Sequence, residues 1–140
     1  MQKIKVMLDE GAKMPTRAHE TDAGLDLYAR EDAVIFRDGS KKFDTGVHVQ
    51  IPKGYVGFLK SKSGLNVNRG IQSAGVIDAG YTGSICVKLY NHGSGMVHIK
   101  KGQKISQLVL LPIITPELEL VDSLEETERG DGGFGSTGAF

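Results

Sequence analysis

An all-β sandwich or barrel is predicted by three features of this chain. Short β-branched runs recur about every ten residues with turn signals between them. No stretch sustains a helical period. Glycine supplies 19 of the 140 residues and is spread along the chain, as tight turns between strands require.

The elements follow in order. Residues 3–7 alternate as a first strand, with Ile4 and Val6 on one face. A polar loop containing Pro15 leads to Thr21-Asp-Ala-Gly-Leu-Asp-Leu-Tyr-Ala29, where Asp26 occupies the polar face of a strand or a loop edge. A short strand at 33–36 ends in an Asp38-Gly39 turn. Val47, Val49 and Ile51 alternate with His48 and Gln50 in a half-buried strand closed by Pro52-Lys-Gly54. Residues 55–60 form a further strand, and 61–68 a loop or one helical turn. Ile85, Val87 and Leu89 alternate with Cys86, Lys88 and Tyr90. A turn at Asn91-His-Gly-Ser-Gly95 leads to a strand at 97–99, and Lys101-Gly102 turns into a strand at 105–111. Glu117 to Val121 alternates as a last strand.

Length, 39% hydrophobic and 24% charged residues describe one globular domain with a core of Val, Ile and Leu. Lys plus Arg and Asp plus Glu both number 17, which argues against a nucleic-acid coat or a membrane-surface protein. Cys86 is the only cysteine, so no intrachain disulfide forms, and a reducing, cytoplasmic compartment is expected. The N-terminal residues carry no apolar leader, and the run 108–114 contains a proline and is too short to span a bilayer.

Gly75-Val-Ile-Asp-Ala-Gly-Tyr-Thr-Gly83 is the stretch with the most chemistry. Ala79-Gly80 reads as a hairpin turn, which places Asp78 at a strand end with Tyr81 facing back across the loop. A carboxylate and an aromatic held there would activate a water and receive a flat ring. A self-capping Asp and a packed Tyr explain the same nine residues. In Ser61-Lys-Ser-Gly-Leu65, Lys62, Ser63 and the amides of a helix start suit a phosphate; a solvated turn fits equally. Lys104 and Gln107, three apart on a strand, fall on opposite faces. The four histidines show no zinc-ligand spacing, and Cys86 reads as a buried strand residue rather than a nucleophile.

Residues 125–140 break the pattern, with five glycines from 130 to 138. Gly130-x-Gly132-x-x-Gly135 matches a dinucleotide fingerprint only formally, because no strand precedes it and no helix can follow. A disordered tail is one reading; the other is an arm whose Arg129, Ser136, Thr137 and free amides wrap phosphate oxygens.

The order and spacing of five motifs are more specific than any one of them. Ala23-Gly-Leu-Asp-Leu27, Ser61-Lys-Ser-Gly-Leu65, Gly75 to Gly83, Gly102-Gln-Lys-Ile-Ser-Gln-Leu108 and Arg129-Gly-Asp-Gly-Gly-Phe-Gly-Ser-Thr-Gly138 resemble the trimeric dUTP pyrophosphatase (dUTPase) family over nearly the whole chain. The resemblance implies a jelly-roll-like β-sandwich core over 1–124 and a glycine-rich arm over 125–140 that closes on a neighbouring subunit. It also implies a homotrimer whose active sites are shared between subunits, and Mg²⁺-dependent hydrolysis of dUTP to dUMP and pyrophosphate. Such an activity limits uracil in DNA and supplies dUMP for thymidylate synthesis. Asp78 would activate the attacking water, Tyr81 would stack on the deoxyribose, and the backbone at Gly75 and Cys86 would pair with uracil. Ser63, Gly64 and Gln107, with Lys62 and Lys104, would position phosphates, while Asp26 would meet Mg²⁺ through water. From a third subunit, Phe134 would cover the base, and Arg129, Gly135, Ser136 and Thr137 would close on the γ-phosphate.

Lys62 and Lys104 stand where the family usually has Arg, which keeps the charge but loses the bidentate fork, so looser phosphate positioning is expected. A dCTP deaminase-like or bifunctional enzyme is the nearest alternative, but Lys88 falls near where its catalytic glutamate would stand. A non-catalytic nucleotide-binding regulator on the same fold is the second.

Overall fold

A computed structural model describes residues 3–140. Its strands are β1 (Lys5–Leu8), β2 (Gly24–Tyr28), β3 (Ala33–Ile35), β4 (Ser40–Asp44), β5 (Val47–Gln50), β6 (Tyr55–Lys60), β7 (Ile71–Gln72), β8 (Ala74–Ile77), β9 (Cys86–Asn91), β10 (Val97–Ile99) and β11 (Lys104–Pro112), with one helix, α1 (Ser63–Arg69), after β6. All the strand pairs are antiparallel. The order β2-β11-β6-β8 makes a four-stranded sheet and β4-β9-β7 a three-stranded one, flanked by the pairs β1-β5 and β3-β10. Leu27, Leu59 and Leu108 of the larger sheet share one buried cluster with Phe43, Val87 and Leu89 of the smaller. The all-β sandwich expected from the strand rhythm is therefore present. Among the described residues no helix is long and apolar enough to cross a membrane.

Alternation shows why these segments are strands. In β9 every second side chain, Val87, Leu89 and Asn91, is buried, while Cys86, Lys88 and Tyr90 face out. The buried Asn91 is satisfied: its Nδ2 donates to the carbonyls of Ile35 and Gly95, and its Oδ1 accepts from Gly93 N–H. Gly57 on β6 faces the sandwich centre, where a Cβ would sit 2.7 Å from Leu108 Cδ1.

Five expectations change. Residues 40–44 form a strand that the apolar pattern does not announce, because four of the five are polar and only Phe43 points inward. The 61–68 segment makes a seven-residue helix that ends at Gly70, left-handed at φ 70°, whose N–H bonds Asn66 O. Cys86 is exposed, because inward positions on β9 fall on the opposite parity. Glu117 to Val121 forms no strand; Leu118 and Leu120 are 96% and 100% exposed, and an alternating pattern without a ladder partner stays an open chain. The stretch around Asp78 is no hairpin: β8 pairs with β6 in one sheet, whereas β9 pairs with β4 and β7 in the other. The chain crosses between sheets there, because Ile85 exchanges backbone bonds with Val47 and Thr45 rather than with β8.

Leu89 is fully buried between the sheets. Leu89→Ala is expected to cost about 2–5 kcal/mol, read from the urea unfolding midpoint at unchanged slope.

Candidate active site

Ile77 and Ile85 are buried at either end of the crossing, so the residues between them lie outside the core. Asp78 is exposed at the end of β8, and Tyr81 N–H bonds Asp78 O at 3.1 Å to close the turn. Gly80 takes φ 94°, a conformation that favours glycine. The Tyr81 hydroxyl donates to Ser84 O at 2.9 Å, which lays the ring back along its own loop. A Cβ on Gly83 would stand 2.5 Å from that hydroxyl, so a glycine is needed beneath the ring. Val76, Ile77, Asp78, Tyr81 and Cys86 line one shallow pocket. Gly75 faces Leu59 across the β6-β8 ladder, where a Cβ would meet Leu59 Cδ1 at 2.9 Å.

The loop's return is pinned from two sides. Ser84 Oγ donates to Asp44 Oδ1, and Gly46 N–H donates to both. Those bonds, the Ser84 hydroxyl above all, hold the Asp44 carboxyl below its ordinary value. His48 places Nδ1 2.7 Å from Thr82 O and Nε2 3.0 Å from Asp9 Oδ1. Neither Ser84 nor His48 stood out in the sequence, because their partners lie more than thirty positions away.

A second cluster forms elsewhere on the larger sheet. Asp26 is only 4% exposed, and Lys62 Nζ reaches its Oδ1 at 2.5 Å while Lys104 Nζ reaches its Oδ2 at 3.0 Å. Burial pushes the Asp26 carboxyl up, but the bonds from both lysines outweigh it and hold the group below its ordinary value. The same contact raises Lys104. A bulge between Lys104 and Ser106 shifts the β11-β2 register, and Gln107 then stands directly opposite Asp26. The expected opposition of Lys104 and Gln107 is thus undone, and both address the same strand. Gln107 Nε2 donates to Ser61 O at 2.9 Å, and its side chain lies over Gly24, where a Cβ would be 2.0 Å from Gln107 Oε1. Ser106 Oγ donates to Lys60 O and meets Ser73 Oγ at 2.8 Å. Ser63 and Gly64 open α1 beside this cluster; no side chain caps the helix, and a Cβ on Gly64 would meet open space.

The arm stands apart from both clusters. Phe134 is fully exposed at φ 42°, an uncommon backbone for a non-glycine residue, and Gly135 follows at φ 94°. Arg129 Nε donates to Gly132 O at 2.6 Å, and the turn continues with Ser136 N–H to Gly133 O. Arg129, Ser136 and Thr137 are exposed.

Among the described residues no group of three or more His, Cys, Asp or Glu side chains is arranged to hold a metal ion. With both Asp26 oxygens on ammonium groups, this donor set fits a cation only through intervening water.

Because the Asp26 carboxyl is depressed by folding, its stabilisation is present above the unfolded carboxyl's value and lost as pH falls through the folded one. Asp26→Asn is expected to lower stability at pH 7 by about 1.5–3 kcal/mol. The gap from wild type should close below the usual carboxylate range, as followed by urea unfolding at a series of pH values.

Comparison with known proteins covers the whole of this architecture. A family model described as dUTPase matches residues 10–138. The deoxyuridine 5'-triphosphate nucleotidohydrolase of Clostridium tetani is 42% identical over 139 residues, 97% of this chain and 95% of its own length. Its namesake from Saccharomyces cerevisiae is 43% identical over 138 residues, 96% of this chain and 94% of its own. Among solved structures, Staphylococcus bacteriophage 80alpha dUTPase with dUPNHPP has a TM-score of 0.93 at 35% identity, over 99% of both chains. A mutant dUTPase of phage phi11, described as coordinating a structural Mg(II) ion, has a TM-score of 0.82 at 34% identity, over 89% of this chain and 100% of that one. With a family model over residues 10–138 and relatives 42% and 43% identical over 97% and 96% of its length, the chain belongs to the dUTPase family.

Proposed function

We propose that this protein hydrolyses dUTP to dUMP and pyrophosphate, with Asp78 as general base. The observation that carries the reading is the exposed Asp78 carboxylate beside Tyr81 in the pocket of the crossing loop, on a chain whose relatives carry dUTP nucleotidohydrolase in their names. The Asp78 carboxylate takes a proton from a water, the water oxygen bonds to the α-phosphorus, and the bond from that phosphorus to the bridging oxygen breaks. Pyrophosphate leaves with the electron pair. Tyr81 offers its ring face to the deoxyribose, and the backbone at Gly75 and Cys86 offers donors and acceptors to the uracil edge.

The phosphate-binding roles fall to Lys62, Ser63, Gly64, Lys104 and Gln107, and β8 separates them from Asp78. Lys60 pairs with Ala74 at one end of that strand, and Asp78 follows Ile77 at the other, about 13 Å away at strand rise. The α- and γ-phosphorus atoms are separated by only two bridging oxygens and a phosphorus. That spacing along β8 is longer than the stretch from α- to γ-phosphorus, which supports a site shared between copies in a homotrimer. Phe134, exposed on a strained backbone, and Arg129 with Gly135, Ser136 and Thr137 suit a lid on another copy's nucleotide.

Mg²⁺ would ride on the triphosphate oxygens with its waters, Asp26 reaching it through one of them, and would neutralise phosphate charge. Lys62 and Lys104 share their charge with Asp26, so each phosphate contact competes with that carboxylate. This agrees with looser phosphate positioning than an arginine fork gives.

Pyrophosphate release is expected from dUTP but not from dCTP, dTTP or UTP; ammonia release from dCTP would establish a deaminase instead. Asp78→Asn should retain dUTP binding while kcat falls by about 10²–10⁴-fold; unchanged turnover would remove Asp78 from the reaction. Deleting residues 128–140 should abolish turnover and leave the sedimentation of the trimer unaltered.

A further inference from the structure

The Thr82 carbonyl belongs to the loop that carries Asp78 and Tyr81, and it has a partner the reaction does not use. His48 on β5 sits between two acceptors: Thr82 O, 2.7 Å from Nδ1, and Asp9 Oδ1, 3.0 Å from Nε2. Neither acceptor has a proton to give. A neutral imidazole carries one N–H and can satisfy one of them; only the imidazolium donates to both. We propose that His48 is a positioning residue for the Asp78 loop: as an imidazolium it ties the Thr82 carbonyl to the Asp9 carboxylate, and losing its proton breaks one of the two bonds.

The surroundings favour the charged ring. Asp9 faces it from the turn after β1, and Asp44 adds a second negative charge from β4. Arg30, the nearby cation from the segment after β2, is engaged by the Asp44 carboxylate at 3.7 Å and by the carbonyls of Asp44 and Glu10. Met7, opposite His48 in the β1-β5 register, is uncharged. The Thr82 bond first, and then Asp9, raise the His48 pKa above 6.5. A raised histidine contributes fully below its unfolded value, and the contribution is lost as pH rises through the raised one.

Where the bond lost is the one to Thr82, the return side of the loop is held only from Ser84 onward, by Ser84 on Asp44 and Gly46 and by the Ile85 backbone. A general base needs hydrogen-bond reach of its water, so a looser loop lowers turnover. The proposal rests on the assignment of Asp78 as base, and two of its readouts do not.

Ring ¹⁵N titration of the full-length protein should place His48 above 6.5, with Asp9→Asn lowering it. The amides of residues 79–84 should shift with the same midpoint. In pyrophosphate release, wild-type kcat should fall across that midpoint by on the order of tenfold, within the ~10²-fold cost of a 1 Å misplacement. His48→Gln should show the lowered kcat already at pH 6 and lack the alkaline step. A His48 midpoint at or below 6.5, loop amides indifferent to it, or the wild-type step persisting in His48→Gln would each overturn the proposal. Should dUTP not be hydrolysed, the assigned reaction falls, while ring titration and loop amides still decide the tether.

Discussion

The structure turns on one crossing. Ile77 and Ile85 are both sealed in the core, yet Ile77 ends a strand of one sheet and Ile85 leads into a strand of the other, so the chain between them has to pass around the sandwich edge. Backbone at an edge meets water or finds bonds of its own. Here it finds them through Tyr81 N–H to Asp78 O, the Tyr81 hydroxyl to Ser84 O and His48 to Thr82 O. The result is a loop that is exposed and still positioned, which a catalytic carboxylate requires. Two apolar anchors fix the ends of the loop that carries Asp78, and polar tethers hold its return side.

A second constraint acts on a buried carboxylate. Asp26 lies on β2 with almost no exposed surface, and an ionised carboxylate there is costly unless it is paired. Lys62 and Lys104 supply the pairing from segments that are distant in sequence but adjacent through β11, the strand that joins β2 to β6. Three of the five motifs thereby become one cluster. Lysine is sufficient for this pairing, because an ammonium is a compact point charge that reaches a carboxylate oxygen without needing a second. What it lacks is a spare donor face fixed in space for a phosphate.

Much of the fold was legible in the chain. Strands such as β9 and β10 bury every second residue, and period-two alternation reports that directly. The reading failed where burial does not follow hydrophobicity. β4 carries one apolar side chain inward among four polar ones, and the 117–121 segment alternates well but has no strand beside it. Cys86 was misplaced for a related reason: a cysteine is as apolar as its neighbours, and only the parity of β9 shows which face it takes.

Chemistry was carried by residue type and spacing. Lys62, Asp78, Tyr81, Gln107 and Arg129 are candidates because cation, carboxylate, aromatic, amide and glycine-rich arm follow in a definite order, and that order is a property of the chain alone. Partnership was not. The tether from His48 to Thr82, the charge cluster at Asp26 and the placement of Gln107 opposite Asp26 all depend on strand register, including a bulge that no local signal announces. Register emerges from the whole sandwich closing on its core, since a one-residue slip would turn every buried side chain outward. Which groups this protein has was thus settled by its sequence, and which of them meet was settled by the packing of its two sheets.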